Sequence, residues 1–376
     1  QFHVGTSTDV NGNGETYIAY LFAHNNNDGG FGEPGDQDII KCGHYTGNGS
    51  STGPSVNLGF EPQFVMIKSA SGNEAWYVYD SMRGMVVGGD DAELAWNSTS
   101  AENGIQGTSA AILDPTPTGF NITNTSSTVN TNTHTYIYMA IRRGGMQTPT
   151  TASDVFAIDD QGESSAPYSI SGFPVDMVLR KDTDGSRSEI MTRIQHKNLL
   201  VASATDAEAS DSVAQFDFNN GCLDGTSQDT TKFSWMWKRA RGYFDAVAYT
   251  GTGSAQNISH NLGVTPEMMW VKCRSNAENW VVYHSYSNTK KWYLNDNAGQ
   301  TNQGSGDFND TPPTSSVFTV GDGNDTGASG RTYVNFLFAT AAGVSKVGSY
   351  TGNGNATGPT VDCGFSNGTK FVLLKR

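Results

Sequence analysis

The sequence has 376 residues, 36 % hydrophobic and only 16 % charged, with 44 glycines and a net charge of −14. That balance argues against nucleic acid or an anionic membrane as partner, because both need clustered Lys and Arg, and the nearest thing to a basic run is Lys238-Arg239-Ala240-Arg241. No stretch of ~18 apolar residues is present that could cross a bilayer as a helix.

Taken in chain order, the elements are short apolar or aromatic runs bounded by Gly, Asn and Asp, and they recur. Phe2 is followed by an aromatic strand Tyr17-Ile18-Ala19-Tyr20-Leu21-Phe22-Ala23. Tyr45-Thr46-Gly47-Asn48-Gly49-Ser50 then opens a unit that continues as Asn57-Leu58-Gly59-Phe60 and the strand Gln63–Lys68. Trp76-Tyr77-Val78-Tyr79-Asp80-Ser81 comes next, and the unit closes with Phe120 and Tyr136–Arg142. A degenerate copy runs through Ser171-Gly172-Phe173, the strand Met177–Lys181, Phe218 and Phe233–Lys238. The pattern returns in full with Tyr249-Thr250-Gly251-Thr252-Gly253-Ser254, Met268–Lys272, Trp280-Val281-Val282-Tyr283-His284-Ser285, Phe318 and Tyr333–Ala339. It opens once more at Tyr350-Thr351-Gly352-Asn353-Gly354 and reaches Phe371–Lys375.

The three opening motifs are spaced by 204 and 101 residues, so one unit is about a hundred residues and the degenerate copy fills the double interval. The closing Phe precedes its aromatic strand by 15, 16, 15 and 15 residues, which chance does not explain. The runs are rich in Val, Ile, Tyr, Phe, Trp and Thr, and none shows apolar residues at helical spacing. An all-β chain of tandem antiparallel β-sandwich repeats follows, each of six to eight strands with its own core. The expected layout is a closing hairpin of a preceding repeat plus linker over 1–38, then repeat 1 over 39–146 and a degenerate repeat 2 over 147–242. Repeat 3 covers 243–342, and the opening strands of a further, incomplete repeat cover 343–376. The array is thus out of phase. Two expectations follow: the chain is an excerpt of a longer one, or the last strands of one molecule complete the first hairpin of the next in a head-to-tail filament.

These motifs carry a family resemblance. The Tyr-Thr-Gly-Asn-Gly-Ser opening, the run Leu58–Lys68, the segment Trp76–Gly84 and the aromatic close resemble an uncharacterised repeat of marine bacteriophage (cyanophage-like) virion proteins. The resemblance covers 1–146 and 243–376 well and 150–242 weakly. It implies a tail-fibre or other virion-surface protein with jelly-roll or lectin-like sandwiches, whose partners are further copies or other virion proteins. An extracellular adhesin or lectin array is the alternative.

Catalysis has little to stand on. The seven histidines show no metal-binding or triad-like grouping, no nucleophile elbow is present, and Asp80 becomes His284 in the matching copy, so no acid is shared by the repeats. The expectation is a non-enzymatic protein without cofactor. Asp9-Val10-Asn11-Gly12-Asn13-Gly14 fits the first half of a calcium loop, but Tyr20 stands where a bidentate Glu is required, so a plain turn and no metal are expected. The four cysteines (Cys42, Cys222, Cys273, Cys363) fit no C-x-x-C pair and read as mostly buried small hydrophobes. A host-surface glycan is the ligand class with most support, because sugars stack on aromatic faces beside polar partners. The candidate contacts are Trp76, Tyr79 and Asp80, with Trp280, Tyr283 and His284 in the matching copy. Core filling is the competing use for each of these aromatics.

Overall fold

Alternation and turn chemistry set the architecture seen in a computed structural model, which describes residues 1–24, 29–35, 37–102, 110–185, 187–211 and 213–376. In the first module the strands are β1 (Ile40–Thr46), β2 (Ser55–Asn57), β3 (Pro62–Ser69), β4 (Tyr77–Asp80), β5 (Leu94–Ala95), β6 (Leu113–Thr116), β7 (Gly119–Ile122) and β8 (Thr135–Arg142). The second comprises β9 (Phe156–Asp159), β10 (Ser169–Ile170), β11 (Met177–Asp182), β12 (Glu189–Thr192), β13 (Asn198–Val201), β14 (Ala209–Ser210), β15 (Gly221–Cys222) and β16 (Lys232–Trp237). The third comprises β17 (Phe244–Thr250), β18 (Gln256–Ser259), β19 (Met268–Cys273), β20 (Trp280–His284), β21 (Lys290–Tyr293), β22 (Thr301–Asn302), β23 (Val317–Val320) and β24 (Thr332–Phe338). Every pairing among them is antiparallel.

The large sheets run β1-β8-β3-β4-β5, β9-β16-β11-β12-β13-β14 and β17-β24-β19-β20-β21-β22. In each, the last strand of the module lies between its first strand and its second long strand, so the module closes by inserting its C-terminal strand into the middle of the sheet. A smaller sheet covers one face: β2-β7-β6, β10-β15 and β18-β23 respectively. The sandwich core follows from the period of two. Along β3, Val65 and Ile67 point inward while Phe64, Met66 and Lys68 point outward, and the inward residues pack with Tyr79, Phe120, Ile122 and Tyr136. Equivalent cores form around Phe216 and Met236, and around Phe318 and Tyr333.

The repeated opening motif is spent on this architecture. Tyr45 stacks on Tyr136 at 5.2 Å and donates to Val129 O, and Tyr249 stacks on Tyr333 at 5.3 Å and donates to Thr326 O. Gly47 and Gly251 pass so close to the backbone carbonyls of Thr131 and Ala328 that a Cβ would collide, and Gly49 (φ +66) and Gly253 (φ +73) take the left-handed conformation.

Beyond their own cores the modules are fused. The outward face of the third module's large sheet (Phe244, Ala246, Trp270, Trp280, Val334, Phe336, Phe338) packs on that of the second (Met177, Ile190, Leu200, Trp237), forming one continuous core. Each module keeps the core of its own expected from sequence, and in addition two sheets share a buried apolar interface. Residues 1–24 and 345–376 form no strand, although both carry strand motifs; a four-residue helix, Thr8–Asn11, is their regular element among the described residues. The closing-strand sequence Tyr17–Ala23 has neither flanking strand here, and Phe371 instead lies against Phe156, Trp235 and Trp237.

Candidate recognition surface

The two Trp segments separate sharply. Trp280 is fully buried and donates its indole N–H to Val201 O across the interface with the second module, at 2.9 Å. Tyr79 is buried and donates to Glu93 at 2.6 Å; Tyr283 is buried and donates to Asn288 at 2.7 Å. None of these three rings offers a face to a sugar, so their assignment as glycan contacts is corrected: inward alternation places Tyr79 and Tyr283 in the sandwich cores, and module packing covers Trp280. Asp80 caps the following turn, accepting from the backbone N–H groups of Met82 and Arg83 and from Arg83 Nε. His284 is half-buried, its Nδ1 accepts from Tyr286 N, and burial lowers its pKa. Trp76 alone among the six keeps an exposed ring.

Trp76 does not stand alone. Trp96 N donates to Trp76 O at 2.9 Å, extending the β4–β5 ladder, and the Trp96 ring lies 6.1 Å from that of Phe64. On the same face, register puts Met66 beside Met139 and Val78, Val78 beside Leu94, and Ile40 and Phe64 on either side of Ile141. The result is an apolar sheet face from Ile40 to Trp96. The Trp96 part of it had no motif behind it, because nothing in a single run of sequence marks β5 as a strand.

The junctions between modules are polar and also escaped the sequence reading. Arg239, from the short basic run, is buried rather than solvated. It donates to both oxygens of Glu61 (2.8 and 2.7 Å) and to Asp245 (2.7 Å), joining all three modules. Burial alone would push the Asp245 carboxyl up, but Arg239 and Arg143 outweigh it and hold it below its ordinary value. Arg274 pairs with Glu208 at 2.6 Å and reaches Val87 O, and Arg193 reaches Asp176 and Ser81 O. A cleft of about 190 Å³ beside this node is lined by Arg142, Arg143, Arg241, Glu61 and His260. Its charges are internally matched, Arg143 by Glu61 and Asp245 and Arg241 by Glu33, and the Arg142 guanidinium sits over the Phe60 ring. It reads as a junction rather than a ligand cradle.

No cluster of three or more metal-ligating side chains occurs among the described residues. In the calcium-like segment, Ser7 caps the helical turn by accepting from Asp9 N, and Asn11 Nδ2 donates to Gly5 O. All four cysteines are free; Cys222 and Cys273 are buried, whereas Cys42 and Cys363 are only half-buried.

With the repeated modules and their linkers in place, comparison with protein families becomes informative. A family model described as a domain of unknown function, DUF7483, matches residues 1–143 and 153–376. The chain belongs to the DUF7483 family. The interval that the DUF7483 match leaves out falls between β8 and β9, where the first module hands over to the second. Comparison of this DUF7483 chain with curated proteins and with solved structures finds no match.

Proposed function

We propose that the chain is a non-enzymatic structural and surface component of a viral particle or fibre, whose sandwich modules serve assembly and host-surface glycan recognition. The observation that carries this reading is how the recurring residues are used: Tyr45, Gly47, Gly49 and their counterparts Tyr249, Gly251 and Gly253 close turns and cores. What repeats along the chain is therefore an architecture and not a reactive group. The resemblance of the motifs to phage virion repeats supplies the particle, and the exposed Trp76 and Trp96 supply the aromatic surface for a glycan. The chain is expected to co-purify with intact particles, and antibody against it to decorate their surface. Recovery solely as a particle-free extracellular protein that binds a glycan array without releasing reducing ends would instead establish the adhesin or lectin alternative.

A second reading, a head-to-tail filament completed by strand exchange, is favoured by one feature of the sheets. Each complete module receives its closing strand between two others, whereas Tyr17–Ala23 and Phe371–Lys375 carry the sequences of a closing strand and a flanking strand and pair with neither. Open polymers that dissociate when Ile18 and Tyr20 are changed to Pro would support it; polymers indifferent to those changes would dismiss it.

A further inference from the structure

The three large sheets have the same order over the five strands they share, so their outward faces match position by position there. In the second and third modules these faces are pressed together and buried. In the first, the equivalent face is covered at its centre, where Val78 and Met139 are buried, and open along its edges. Trp280 is 0 % exposed and its counterpart Trp76 is 36 % exposed; Val334 is 0 % and its counterpart Ile137 is 40 %; Trp96, at the edge of the same face, is 63 % exposed. The face is apolar throughout: half-buried Ile40, Phe64, Met66 and Leu94 stand on adjacent strands beside exposed Ile137 and Trp96. Exposed apolar patches of this extent mark interaction sites more often than accidents of surface composition.

We infer that the outward face of the β1-β8-β3-β4-β5 sheet docks against the same face of a second copy of this chain. The molecule itself points to the occupant: the equivalent face of the third module is already covered by a sheet face of the same repeat. Face-to-face packing of two such sheets is a solution this sequence demonstrably uses. Identical faces meeting about a two-fold axis bury each other's Trp96 and Ile137 and close the assembly. Strands of 7, 8, 8, 4 and 2 residues at ~4.8 Å spacing and ~3.3 Å rise give on the order of 450 Å² in plan on each partner. That is a little over half the ~800 Å² per partner of an ordinary specific interface, the size of a weak and reversible contact. Around the rim stand exposed His44 and half-buried Lys68 and Asp80, the last two held by Gly72 O and by Arg83. A glycan reading of Trp76 and Trp96 competes for this surface, and the internal precedent favours protein. The inference deepens the assembly part of the proposed function by naming its surface and partner.

The test is sedimentation of the whole chain over a wide concentration range, beside Trp96→Glu and the double variant Trp96→Ser, Ile137→Ser. Wild type is expected to dimerise reversibly, and both variants to associate at least tenfold more weakly while melting as wild type does. The serine pair guards against an effect of added charge. A wild type that stays monomeric at high concentration overturns the inference, whether or not it binds glycans through Trp76 and Trp96. So does a dimer that both variants leave intact. Neither result touches the particle reading, which depends on co-purification and not on this interface.

Discussion

The first and third modules were built to one plan and put to different uses. They share strand order, the tyrosine stack at the opening motif and a Trp at the start of the fourth strand. In one of them that Trp is sealed against a neighbour, and in the other it lies open. Sequence motif therefore sets the module, while the function of a motif residue depends on which face of which sheet meets another module. The comparison explains why a segment recurring at an interval of 204 residues can be core in one place and surface in another.

The largest contrast to be tested follows directly. Trp280→Ala removes a fully buried ring and its hydrogen bond to Val201 O, and is expected to cost about 3–5 kcal/mol in chemical unfolding of the whole chain. Trp76→Ala should cost less, about 1–2 kcal/mol, because about a third of its surface is already in water. Equal losses at the two positions would erase the distinction between the faces.

Next in size is Arg239→Met. Removing the guanidinium leaves Glu61 and Asp245 as buried, undercompensated acids, a loss of about 3 kcal/mol. The figure sits at the low end because Arg143 stays within 3.5 Å of both carboxylates. Limited proteolysis should then cut between modules, near residues 144–152, before it cuts within them. Cleavage scattered through all three modules would mean that Arg239 holds up a core rather than a junction.

Acidification probes another junction. His196 packs its ring over Gly84 of the first module, and burial, reinforced by Lys197 and Arg193, lowers its pKa from 6.5 to about 4. A buried base with a lowered pKa contributes stability that is present above its unfolded pKa and lost as pH falls toward the folded one, so Tm should decline between pH 6.5 and 4. His196→Asn should flatten that part of the profile. Asp245, held below its ordinary range, adds to the loss only below that range, and the remaining slope in the variant should begin there. The smallest effect belongs to Trp96→Ser, whose monomer should unfold within ~0.5 kcal/mol of wild type.

Much of the fold was legible because a strand writes its inward residues at a period of two and a turn demands Gly or Asn. Tyr45, Gly49, Val65, Phe120 and Tyr136 announced both. The third module could be read from the first by offset. What was not legible was the packing of one module on the next. The degenerate copy lacks a Trp segment, yet its β12 (Glu189–Thr192) occupies that place and its Ile190 joins the shared core. An ion pair such as Arg239 with Glu61 leaves no local pattern, since its partners lie far apart in sequence and meet only when sheets pack. For the same reason Trp280 and Tyr283 looked like surface candidates, although alternation already hinted that one neighbour of each pair must face inward.

The most direct test of the account is hydroxyl-radical footprinting of the dilute, monomeric chain, read at each tryptophan by mass spectrometry. Trp76 and Trp96 should label readily, while Trp270 and Trp280 stay protected until the protein unfolds, with Trp76 gaining protection as the concentration rises. Comparable labelling of Trp76 and Trp280 at every concentration would contradict the claim that one face is shared by two modules and its counterpart stands open.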